Sequence, residues 1–168
     1  MVESTLLRPM VPIAAFPLSR ALLEAVLEDR TSDRFVCELV WHRLGYQPGG
    51  EAAGEGPIRW QPGPLTPPSW AGAFPQAPEV IAERAASVAL TRSVTLAHKQ
   101  LLKEQLGFAG YRIGELYPRR TRRATAVNWL LAHQAEWGLP LPETGPLPSL
   151  LDPPVDPRAG HPGDPPVG

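Results

Sequence analysis

Apolar residues recur at helical spacing along several stretches of this chain. In SRALLEAVLEDR the stripe is Leu22, Leu23, Val26 and Leu27, Ser19 stands where it can accept the free amides of a helix start, and Leu18 and Leu23 have the spacing of a hydrophobic staple. TSDRFVCELVWHRLGY predicts a second helix. Thr31 or Ser32 caps it, Asp33 suits its positive end, Phe35, Val36, Leu39, Val40 and Leu44 face the core, and Gly45 ends it. TLAHKQLLKEQLG predicts a third, with Leu102 and Leu106 on its core face and Gly107 as its stop. The last runs from near Pro118 to about Trp137 with Val127, Leu130 and Leu131 inward.

Between these blocks the pattern weakens. Pro78, at a position where proline is tolerated, opens a short helix in PEVIAERAA. SVALTRSV, with Val88 and Leu90 alternating, reads as a brief strand or an extended connector. FAGYRIGELY is too short and glycine-marked for more than a turn or two. From Tyr46 to Pro78 the aromatics Tyr46, Trp60, Trp70 and Phe74 stand isolated. A short hairpin bringing IRW near Tyr46 is one arrangement, and in any arrangement those rings pin an irregular segment onto the helices. No internal repeat is present.

Composition sharpens this division. The 22 prolines and 15 glycines make 37 of 168 residues, roughly a fifth against about 12% in average usage. Ten prolines and four glycines fall in residues 139–168, and eight and six in 46–78. The expectation is a mainly α protein: a small domain of four or five helices over residues 18–138, with a Pro/Gly-rich connection at 46–77 and one short β-hairpin or strand at most. An extension precedes it at 1–17, and a disordered tail follows at 139–168. In the tail, PLP and DPPVDP suit an extended proline helix that a groove could read.

A lone cysteine, Cys37, excludes a disulfide framework and a thiolate metal site, and points to a reducing cytoplasm. The first twenty residues carry Glu3 where a signal peptide wants positive charge, and Pro9, Pro12 and Pro17 break the apolar run. No stretch approaches the length of a membrane span, so no membrane partner is expected.

Charge changes the picture more. The formal net charge is −1, yet residues 84–123 hold nine Lys/Arg and two Glu, a net of +7, leaving −8 for the remainder. Such a block either faces an anionic partner or pairs with the protein's own carboxylates. Its densest part is YPRRTRRATAVNWLL, where Arg119, Arg120, Arg122 and Arg123 sit in the first turns of a helix opened by Pro118. A helix start carries partial positive charge, so each arginine there costs about 0.3–1 kcal/mol unless something anionic compensates. At 100° per residue Arg119, Arg120 and Arg123 share the side of Val127, Leu130 and Leu131, and so look toward the body of the protein. An external anion held by guanidinium forks and helix amides is one reading. Internal pairing with Glu38, Glu83, Glu104 or Glu115 is the other.

A second feature is LGFAGYRIGEL. Leu106, Gly107, Phe108, Ile113 and Leu116 keep the spacing of a helix-turn-helix core, and Gly107-Phe108-Ala109-Gly110 keeps that of a GxxG loop between two helices. Lys99, Lys103 and Arg112 surround it, so Gly107, Gly110 and these three residues join the four arginines as a candidate anion or nucleic-acid site. An ordinary helix stop and turn accounts for the same residues. Catalytic chemistry finds less support. His42, His98, His133 and His161 show no metal-ligand spacing, and Cys37 lies mid-helix rather than at a helix start. Phosphate loop, dinucleotide fingerprint and nucleophile elbow are missing, so neither an enzyme, a metal nor a cofactor is expected.

The run KQLLKEQLGFAGYRIGELYPRRTRRATAVNWLLA, with VWHRLGY and VALTRSV before it, resembles an uncharacterised protein family of cyanobacteria and chloroplast-bearing organisms. The resemblance covers roughly 18–137 and is most specific over 99–132. It implies a cytoplasmic or stromal protein of a photosynthetic organism and transfers no catalytic residue. GGEAAGEGP makes the connection after Tyr46 longer and more glycine-rich than the family's usual stretch. The expectation is a non-enzymatic binding module that contacts RNA, DNA or an acidic protein through its basic surface. The alternative is an adaptor acting through the linker aromatics and the proline-rich tail.

Overall fold

The computed structural model describes residues 15–49 and 58–168. Most of the extension at 1–17 and most of GGEAAGEGP lie outside the described residues. Among those described are six α-helices and one two-stranded antiparallel sheet: α1 (Arg20–Leu27), α2 (Asp33–Arg43), β1 (Gln47–Pro48), β2 (Trp60–Gln61), α3 (Pro68–Ala73), α4 (Arg84–Ser93), α5 (Leu101–Leu106) and α6 (Pro118–Glu136). Single 3-10 turns occur at Leu96–His98 and Ile113–Glu115. No described helix is long and apolar enough to cross a membrane. Contacts fall into two units, Met1–Phe16 with Glu38–Pro78, and Pro17–Cys37 with Glu79–Gly168.

The smaller unit takes the second half of α2, the sheet and α3. Gly45, at φ +84°, turns the chain out of α2, and a Cβ there would come within 2.7 Å of the Leu65 and Thr66 backbone. The sheet pairs Gln47 with Gln61 and Pro48 with Trp60, so IRW does come back beside Tyr46. Tyr46, Trp60 and Trp70 are buried. Trp41 Nε1 donates to the Pro78 carbonyl at 2.7 Å, and the Tyr46 hydroxyl donates to that of Phe74 at 2.8 Å. The aromatics therefore do pin the irregular segment, the polar tips of Trp41 and Tyr46 each finding a carbonyl.

In the larger unit α6 is the central element, packing against α1, α4 and α5. Leu22, Leu23 and Val26 of α1, Ala86 and Leu90 of α4, Leu101 of α5 and Ala126, Val127, Leu130 and Leu131 of α6 are buried. Ser19 Oγ accepts the Leu22 amide and Ser32 Oγ the Phe35 amide, so both serine caps form. Cys37 is fully buried, its thiol 3.8 Å from Glu79, and burial pushes its pKa well up.

Three expectations are corrected here. Pro78 opens no helix; the helix starts at Arg84 and takes in SVALTRS, because Ala86, Ser87 and Leu90 bury one helical face while Val88 does not alternate with Leu90 as in a strand. The TLAHKQLLKEQLG helix is broken into a 3-10 turn and the six residues of α5, with Leu101 buried rather than Leu102 or Leu106. The tail forms neither helix nor strand, but it is not a free terminus. Carbonyls of Pro142 and Glu143 accept the Arg20 and Ala21 amides, and Leu151 N donates to Arg30 O. Gly168 N donates to Ala82 O. Hydrogen bonds of its backbone, to main chain and to side chains such as Arg30 and Gln134, hold it in place.

Candidate functional site

Four elements of the larger unit build a groove beside α6. Asn128 of α6 positions one wall: its amide donates to His98 O at 3.1 Å and its carbonyl oxygen accepts the Leu102 amide at 2.9 Å, capping α5 from outside. Gly107, left-handed at φ 68°, stops α5 and sends the chain into the 107–117 loop. There Phe108 and Tyr111 meet edge to face at 5.0 Å, and the Tyr111 hydroxyl is tied to Leu27 O at 2.9 Å. The first part of the groove, about 390 Å³, has Val94, Leu102, Phe108 and Leu116 among its apolar lining with Lys99 and Lys103 beside them. The second, about 770 Å³, continues past the shared residues Thr91, Leu116, Thr121 and Thr125 to Arg84, Arg92 and Arg122. Five basic residues thus line the two parts, and neither lining includes an Asp or Glu. Lys99 Nζ donates to Thr91 O, and Arg122 Nη1 to the carbonyls of Ile81 and Ala82, contacts that leave both charges unneutralised.

The arginine cluster is divided by this arrangement. Arg122 reaches the groove, but Arg119 and Arg123 are fully buried. Arg119 grips Asp29 with both Nη atoms at 2.7 Å and donates from Nε to Asp33 at 2.9 Å. Arg123 Nη1 donates to Asp33 at 2.7 Å, and its remaining donors reach Val26 O and Thr31 Oγ1. Arg120 stands 3.8 Å from Asp29 and lies over the rings of Tyr111 and Tyr117. Burial works against the charged form of Asp29, but Arg119 and Arg123 outweigh it and hold the carboxyl below its ordinary range. For Arg119 too burial is outweighed, and the aspartates push its pKa up.

The expectation that Arg119 and Arg123 await an external anion is therefore corrected: they look inward as their spacing predicts, and the aspartates there already bind them. None of Glu38, Glu83, Glu104 or Glu115 is the partner. The partners are Asp29, Asp33 and Asp164, which sequence reasoning missed. Asp29 has left-handed backbone (φ 65°), a conformation that aspartate tolerates, just after α1. Of the remaining candidates, Lys99, Lys103 and Gly110 line the groove, while Gly107 only ends α5 and Arg112 is exposed outside the lining. A 3-10 turn follows Gly110 instead of a helix, with Ile113 90% exposed, so neither the helix-turn-helix core nor the GxxG arrangement forms. Among the described residues no His, Cys, Asp and Glu side chains are grouped to hold a metal ion.

A mainly helical domain centred on α6, with a cation-lined groove and an internally neutralised arginine cluster, is the class of protein that fold and site define. The chain belongs to the family described as a domain of unknown function (DUF1823), which matches residues 17–135. A structure solved by NMR in solution is similar to it, with 44% sequence identity and a TM-score of 0.60 over 73% of this chain and 98% of that one. No curated protein matches the chain.

Proposed function

We propose that this domain is a non-enzymatic binding module that seats an acidic, apolar-faced protein segment in the groove beside α6. One observation carries the reading: five basic residues flank a largely apolar lining that contains no acidic residue. An amphipathic segment would lay its apolar side chains on Leu102, Phe108 and Leu116 and turn its carboxylates to Arg84, Arg92 and Lys103. The turns bordering the groove add Leu96 and Ile113, 88% and 90% exposed, to that apolar contact. RNA or DNA fits less well. Its phosphates would find the cations, but the aromatic rings of the lining are already engaged: Phe108 and Tyr111 pack on each other, and Arg120 and Arg158 lie over Tyr117. The resemblance read from the sequence supports a cytoplasmic or stromal setting for such a module.

The test titrates the full chain with a labelled peptide carrying Glu on one helical face and Leu and Phe on the other, and in parallel with oligouridine and oligothymidine. The peptide is expected to bind, and Arg92→Glu with Lys103→Glu to weaken it by about tenfold or more, roughly 1.4 kcal/mol. Charge-dependent binding of the oligonucleotides without the peptide would transfer the groove to nucleic acid. Binding of neither, or binding indifferent to the double variant, overturns the reading.

A further inference from the structure

The carboxylates around Arg119 come from two differently matched parts of the chain. Asp29, Asp33, Arg119 and Arg123 lie within the family's span, which ends at residue 135. Pro157, His161 and Asp164 lie beyond it, in the proline-rich tail. Within the span, three guanidinium groups (Arg119, Arg120, Arg123) meet two carboxylates (Asp29, Asp33). Asp164 is the third carboxylate. Its Oδ1 accepts the first amide of α2, Asp33 N, at 3.1 Å, and its Oδ2 lies 3.6 Å from Arg119 Nη2. Arg119 also donates to Pro157 O at 3.3 Å. His161 Nδ1 stands 3.5 Å from Arg119 Nη2, and its Nε2 faces Asp152 O at 3.1 Å.

Along the tail the apolar side chains are exposed or only half-buried, and the deepest contacts are polar. Leu147, Leu151 and Val155 are exposed, Val155 fully, while His161 is the one residue of 139–168 that is buried and the Asp164 side chain is 2% exposed. Gly160 fits between. At φ +88° a Cβ there would lie 2.6 Å from Arg119 Nε and 2.6 Å from Asp164 Oδ2.

We infer that residues 152–168 form a releasable strap, and that its Asp164 fills in cis a carboxylate-binding pocket made by Arg119 and the first amide of α2. With the strap off, that pocket takes an acidic peptide segment in trans. The site shares no residue with the groove lining and does not depend on the reading given to it. A strap held mainly by polar contacts, with Val155 outward and Val167 half-buried, gives up less apolar burial on leaving than a packed helix does. It leaves behind a buried arginine and a helix-start amide that are together one carboxylate short.

Gly160→Ala in the full chain tests this, since its Cβ would collide with Arg119 and Asp164 and so displace the strap while every residue of the pocket keeps its own side chain; Asp164→Ala is the second variant. Hydrogen exchange at Asp33 N and over 157–168 is expected to rise roughly tenfold or more while the α6 core amides keep their protection. A labelled peptide, DPPVDPRAGHPGDPPVG, should then bind the Gly160→Ala chain and not the unaltered one, and its Asp164→Ala counterpart should bind at least about tenfold more weakly. Strap amides that exchange only together with the α6 core in both variants would overturn the proposal, by making the strap part of the fold. So would a freed strap whose pocket ignores the peptide.

Discussion

Asp33 shows how much can rest on one side chain. Its carboxylate accepts from Arg119 and Arg123, both fully buried, and its own amide donates to the carboxylate of the tail's Asp164. Asp33→Ala therefore leaves two buried guanidinium groups short of a partner, and a loss of about 3–5 kcal/mol is expected in urea unfolding. The neighbouring carboxylates respond to pH in opposite senses. Asp29 is held below its ordinary value of 3.8, so the stability it contributes is complete above that value and is lost as pH falls through its lower folded value. Burial pushes Asp164 above 3.8, against the amides of His161 and Asp33 and the charge of Arg119. Its contribution is complete below 3.8 and is lost as pH rises through the raised value. Melting temperature should fall once the pH drops below about 3.8. That the arginines needed compensation was legible in the sequence, because their place at a helix start is a local fact. Which carboxylates supply it was not: Asp29 and Asp33 lie 86–90 residues away in sequence, and spacing rules carry no information at that range.

Among the elements, those with a full apolar stripe and a cap were legible, and those shaped by tertiary partners were not. α1, α2 and α6 follow their stripes closely. α4 was ambiguous because Val88 and Leu90 alternate over too short a span to distinguish periods 2 and 3.6. α5 is only six residues long, has no side-chain cap of its own, and takes one from Asn128 on α6. Asn128→Ala removes that acceptor and the donor to His98 together. A loss of about 1–3 kcal/mol is expected, with exchange at Leu102 N accelerated more than in α1. Peptide affinity for the groove should fall with it, because α5 is the groove's wall.

Across the whole chain, opposite charges are segregated in sequence: +7 within residues 84–123 and −8 elsewhere. The structure divides the positive block by role. Arg119, Arg120 and Arg123 face aspartates, whereas Arg84, Arg92, Lys99, Lys103 and Arg122 line the groove. Charge counting showed the block but not the division, which depends on the rotation of α6. Composition was equally half-informative about the tail. Proline and glycine exclude helix and strand there, yet they do not prevent backbone amides and carbonyls from docking. The outward-facing Leu147, Leu151 and Val155 carry one more consequence. Since Val155 of the strap is already fully exposed, detachment would wet far less new hydrocarbon than unfolding of the helical core, and its heat-capacity change would be small beside that of the melt. A calorimeter following the melt would not register it, and dissolved ions would act on it more strongly than warmth.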